Sequence, residues 1–159
     1  MSTVRLYPLL LLALFTGCTS GTAPDARILT GHWATEPEAH RPSGSMQYHL
    51  VLGRDRRFSR EVRSYGVYQG QAAVTLSAYS RDEGQFEVLG DSIVFRPERR
   101  IWWDSFYRVA EPTIEELTPS DRLSDGATFR VRLNRLTLSY LTFPLDAPVP
   151  TQKTFRRAN

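Results

Sequence analysis

From Gly31 onward, apolar and polar residues alternate in short runs. That is the two-residue period of a strand with one buried and one wet face. Two hairpins can be read to the residue. Gly90-Asp91 is a two-residue turn of a favoured type. Counting outward from it pairs Val88 with Ile93 and Phe86 with Phe95 on one face, and Glu87 with Val94 and Leu89 with Ser92 on the other. Asn134-Arg135 reads as a second turn, pairing Leu133 with Leu136, Val131 with Leu138 and Phe129 with Tyr140. Arg130, Arg132, Thr137 and Ser139 then share the opposite face. A register slip of one residue would throw either apolar set into water.

Other segments follow the same rule. Met46, Tyr48, Leu50 and Leu52 alternate with Gln47, His49 and Val51. Gly53-Arg54-Asp55-Arg56 reads as a turn into a strand from Arg57 to about Tyr68, on which Phe58 and Val62 share a face with Arg60. Ala72, Val74, Leu76 and Ala78 alternate with Ala73, Thr75, Ser77 and Tyr79. Ile101, Trp103, Ser105, Tyr107 and Val109 alternate with Trp102, Asp104, Phe106 and Arg108, and the chain closes on a strand from Thr151 to Arg157. Sustained 3.6-residue periodicity is missing. The best helical stretch is Pro112 to Leu117, inside a long loop from Ala110 to Gly126. The pattern predicts an all-β fold, an antiparallel up-and-down barrel of about 8–10 strands; a sandwich has the same strand spacing.

The first residues are different. Arg5 is followed by an unbroken apolar run, Leu9 to Phe15, then by Thr16, Gly17 and Cys18. The run is too short to span a bilayer, which takes about 20 apolar residues, and the layout is that of a secretory signal. An apolar residue, two small ones and a cysteine resemble the lipobox of bacterial lipoproteins. The resemblance implies that residues 1–17 are cleaved, that Cys18 is acylated, and that residues 18–28 tether a domain spanning 29–159. Thr19, where an Asp in that family tends to retain the protein in the inner membrane, implies the outer membrane facing the periplasm. The same residues also fit an ordinary secretory signal with an incidental cysteine. Cys18 is the only cysteine, so an internal disulfide is excluded.

The roughly 140 residues after the leader suffice for one domain with a core. The formal charge is +3, of which Arg5 contributes one, and Lys153 is the only lysine. No basic run is interleaved with aromatics, so nucleic acid is not an expected partner. His32, His40 and His49 lack the close spacing of zinc ligands. No nucleophile elbow or phosphate-cradling glycine loop is present. No catalytic residue, metal or cofactor is therefore expected.

Gly31-x-Trp33 at the head of a meander, the turn before Phe58, the Gly84-Gln85-Phe86 to Gly90-Asp91 hairpin and the Leu136-Thr137-Leu138 strand resemble the lipocalin-like domains of bacterial lipoproteins. The resemblance implies that Trp33 plugs one barrel end and that Arg156 or Arg157 packs over it as a structural cap. It further implies a cup for a hydrophobic or amphipathic small molecule. The candidate lining is Arg60, Phe86, Phe95, Trp103, Phe129 and Tyr140, with Arg60 inward to hold an anionic head group. The alternative is a self-filled barrel that acts as a structural or interaction module for a protein partner in the envelope. The abundance of Phe, Tyr and Trp makes that filling feasible.

Overall fold

The structure, a computed structural model, describes residues 26–40, 44–67, 73–107, 110–118, 125–140 and 152–158. The leader, Cys18 and most of the expected tether lie outside these residues. Among the described residues ten strands follow a 3₁₀ turn at Ala26–Ile28: β1 (Gly31–Ala34), β2 (Glu38–His40), β3 (Gly44–Leu52), β4 (Arg57–Val67), β5 (Val74–Leu89), β6 (Ser92–Asp104), β7 (Thr113–Glu116), β8 (Asp125–Arg132), β9 (Arg135–Tyr140) and β10 (Gln152–Arg157). All pairings are antiparallel. One edge of β1 pairs with β3, from Gly31↔Leu52 to Ala34↔His49, and the other with β10 at Trp33↔Arg157. The sheet therefore closes into an eight-stranded up-and-down barrel. Among the described residues closure leaves no long wall edge to pair with another chain. β1 and β2 lie along one strand, β3, and are separated by Thr35–Pro37. β7 pairs with β6 outside the barrel.

Alternation sets the interior. Trp33, Leu50, Leu52, Phe58, Phe86, Ile93, Phe95, Leu136, Leu138 and Phe155 are all less than 5 % exposed, and the Phe58 and Phe95 rings meet edge to face at 5.0 Å. The first hairpin has the predicted register, with Val88↔Ile93 and Phe86↔Phe95. The second turns one residue earlier than predicted, at Leu133-Asn134, and pairs Val131↔Leu136, Phe129↔Leu138 and Ala127↔Tyr140. This slip keeps the remaining apolar residues on their face, so alternation alone could not decide it. Contacts from the next strand do: Arg157 N–H donates to Asn134 O at 2.9 Å, and Phe155 pairs with Leu136. Leu133 leaves the core and is 97 % exposed.

Two further corrections follow from strand pairing. The helix expected over Pro112 to Leu117 is strand β7, because the free upper edge of β6 supplies hydrogen-bond partners for Thr113–Glu116. The strand expected through Val109 ends at Asp104 and passes into a 3₁₀ turn, Ser105–Tyr107, where the Asp104 carboxylate accepts from Phe106 N–H. β5 and β6 are also longer than the short strands expected. They stay paired through a bulge at Glu98, where Glu83 pairs with Arg99 but Gly84 pairs with Pro97. Gly84 permits this, since a Cβ there would lie 2.1 Å from the Arg96 carbonyl oxygen.

Candidate functional site

One end of the barrel is sealed. Trp33 is fully buried, and its indole N–H donates to Leu29 O at 2.8 Å. The Arg157 guanidinium lies 4.4 Å from the Trp33 ring centroid and donates to Thr30 O at 3.0 Å and Ile28 O at 3.1 Å. A cation over an indole face is attracted by the ring quadrupole. Gly31 makes the approach feasible. Its φ of +140° lies outside the range natural to L side chains, and a Cβ would meet Arg157 Nη1 at 2.9 Å. Arg156 does not join the cap. It alternates to the other face and pairs with Glu36 at 2.7 Å.

Above the cap the barrel is packed with the apolar side chains named above, Phe86 and Phe95 among them. Phe129 and Tyr140 are partly buried against that core. Higher still lies a layer of charge. Arg60 points inward as expected, with its guanidinium 5.5 Å from the Phe95 ring centroid. It is already neutralised: it donates to Asp125 Oδ2 at 2.5 Å and to Asp82 Oδ2 at 3.2 Å. Arg100 donates to the other oxygen of Asp82 at 2.8 Å. Burial alone would pull the Arg60 pKa down; the neighbouring carboxylates, Asp125 foremost, outweigh it and raise it. Burial also pushes the Tyr140 phenol up, against the pull of Arg60. The premise that Arg60 waits for an anionic head group is therefore corrected, because two carboxylates of the chain already occupy it.

Trp103 is the other correction. Strict alternation places it with Phe95. The extra residue at the Glu98 bulge inverts the phase of β6, since a bulge sets two residues opposite one. Arg100 and Trp102 thus share the face of Asp82, while Trp103 pairs with Tyr79 on the other face and stacks on it at 6.3 Å. Trp102 donates to Glu115 on β7 at 2.8 Å.

The outer wall is charged. Glu61 pairs with Arg63 and, at 4.0 Å, with Arg81; Glu83 pairs with Arg81 at 3.1 Å and with Arg99. A transmembrane barrel presents an apolar outer band, whereas this stretch of wall over β4–β6 carries paired charges. Among the described residues no helix is long and apolar enough to cross a membrane.

His32 and His49 meet on this wall, with Nε2 of one 3.2 Å from Nδ1 of the other. The side chain of His40 lies outside the described residues. Burial, then Arg63 and His32, lower the His49 pKa from its ordinary 6.5, and Glu61 opposes them only in part. The unfolded chain therefore takes up that proton more readily. The contribution of His49 is complete above about pH 6.5 and is lost as pH falls through the lower folded value. Thermal melts at successive pH values should show the midpoint falling on acidification below that point, and less steeply in His49→Gln. Parallel profiles for the two proteins would exclude His49 as the cause.

Comparison with protein-family models, curated proteins and solved structures yields no match. The barrel is compatible with a lipocalin-like fold, and that likeness rests on topology.

Proposed function

We propose that this is a lipid-anchored module of the bacterial envelope, held through an acylated Cys18, whose barrel is a self-filled, non-catalytic scaffold. Its working surface is then its exterior, which meets a protein partner in the envelope. The observation that carries the self-filled reading is the Arg60–Asp82–Asp125 layer lying over a packed aromatic core. An apolar ligand entering from the rim would have to break ion pairs before reaching apolar surface, and unpairing buried charges is costly. The rim offers exposed aromatic surface for a partner: Phe106 is 76 % and Tyr107 66 % exposed, and their rings meet edge to face. Trp and Tyr anchors dominate many protein interfaces. Thr19 in place of Asp supports the outer membrane, periplasmic side.

The small-molecule reading keeps one observation in its favour. Asp125 Oδ1 is buried without a hydrogen-bond partner, and an orphaned acceptor is stabilised by a donor. A ligand on that layer would offer a hydroxyl or amine rather than a carboxylate, so the expected head-group chemistry is reversed. Calorimetric titration of a fatty acid, its methyl ester and the corresponding long-chain alcohol discriminates the readings. The scaffold reading predicts no saturable binding of any. Saturable binding of the alcohol alone would transfer the case to the cup.

Anchoring is tested separately. Metabolic labelling with a fatty-acid analogue should mark the wild-type chain and leave Cys18→Ala unlabelled. Label persisting on the alanine variant would exclude Cys18 as the attachment point.

A further inference from the structure

The sealed end of the barrel carries a second feature that the scaffold reading does not use. A cleft of about 640 Å³ opens there, lined by Arg27, Arg54, Arg56 and Arg157 around Thr30, with Phe86 beneath. Among the described residues no carboxylate lines it. The acidic residue of the adjoining turn, Asp55, is turned back on the chain and accepts from Arg57 N–H at 3.1 Å. Arg57 itself pairs with Glu98 at 2.8 Å and stays outside the cleft. Among the described residues, Arg54, Arg56 and Arg157 have no carboxylate partner. The charged groups of Arg157 spend their donors on backbone carbonyls.

The turn that carries two of these arginines is tied by backbone hydrogen bonds. Gly53 N–H donates to Arg57 O at 2.8 Å, and Phe86 N–H to Arg56 O at 2.9 Å. Arg56 adopts φ +64°, a left-handed conformation that L residues avoid. The surroundings hold it there with its guanidinium 5.8 Å from the Phe86 ring centroid. Strained residues kept in place by their surroundings cluster at ligand sites. Every cation of the cleft is an arginine, whose planar fork matches phosphate oxygens in pairs, unlike the point charge of lysine.

We infer that this cleft binds a phosphate-bearing anion. Two sources share that chemistry, a phospholipid head group and a soluble phosphate ester. The last residues of the expected tether, Ala26–Ile28, form the 3₁₀ turn beside the cleft, and Arg27 lines it. The lipid source alone rests on the anchored reading, because an acylated Cys18 would bring the bilayer to this end.

The test is calorimetric titration of the full chain in neutral-detergent micelles with two soluble probes. These are glycerophosphoglycerol, the diester head group of phosphatidylglycerol, and glycerol phosphate, a monoester. At least one probe should bind saturably and more weakly as salt rises. The Arg54→Ser/Arg56→Ser variant should lose at least ~10-fold in affinity, which is about 1.4 kcal/mol, and Arg99→Ser on the wall should lose none. Should the double variant fail to fold, single Arg54→Glu, at an exposed turn position, serves in its place. Diester binding that is displaced by phosphatidylglycerol in the micelles, and not by phosphatidylcholine, assigns the lipid source. Preferred monoester binding, insensitive to either lipid, assigns the soluble one. Absence of saturable binding of both probes, or equal binding by the charge variants, would overturn the site. The titration is blind to acylation of Cys18, so its failure and that of the anchored reading are separable.

Discussion

Replacing Arg60 by methionine is expected to lower the stability of the domain by roughly 3–5 kcal/mol, the range for removing one partner of a buried ion pair. The methionine stem fills much of the same volume, so the loss is electrostatic. Asp125 loses its partner at 2.5 Å and Asp82 one of its two cations, with Arg100 remaining. Both carboxylates are mostly shielded from solvent, 12 % exposed for Asp82 and 29 % for Asp125. The decisive comparison adds Asp125→Asn to Arg60→Met. If the pair is coupled, the double variant recovers part of the loss in denaturant unfolding, since the orphaned charge is gone. Additive losses would mean that Arg60 acts through its stem against Phe95 and not through its charge.

Trp33→Ala should be about as costly, ~3–5 kcal/mol, because a large side chain leaves a site that collapses only in part. Two more contacts go with it. Leu29 O loses the indole N–H, and Arg157 loses the ring it lies over. Trp33→Phe keeps a ring but not the N–H, so it should fall between. A melting temperature of Trp33→Ala within a couple of degrees of the parent would show that the seal contributes little to the fold.

What the sequence disclosed follows from which interactions are local. The Gly90-Asp91 hairpin could be read pair by pair because its turn and both its faces lie within a dozen or so residues. Inward Arg60 was legible for the same reason, sharing alternation with Phe58 and Val62. Its partners were not, since Asp82 and Asp125 arrive from β5 and β8 through pairings set by tertiary closure. One signal did exist: Asp82 stands four residues before Phe86 on one strand and so shares its face. The facing of Trp102 and Trp103 was hidden by the Glu98 bulge, whose only trace is Pro97 next to it and Gly84 opposite. The cleft arginines were scattered over the chain, at positions 27, 54, 56 and 157, and only closure of the barrel gathers them.

The scaffold account is tested most directly by native mass spectrometry of the wild-type chain, purified from its host in neutral detergent and then released from it. The account predicts the processed polypeptide with its acyl chains and no additional mass that depends on the charge layer inside the barrel. A reproducible additional mass, retained by the wild type and lost when Asp125→Ala or Arg60→Met alters the charge layer, would contradict it and make the barrel a carrier.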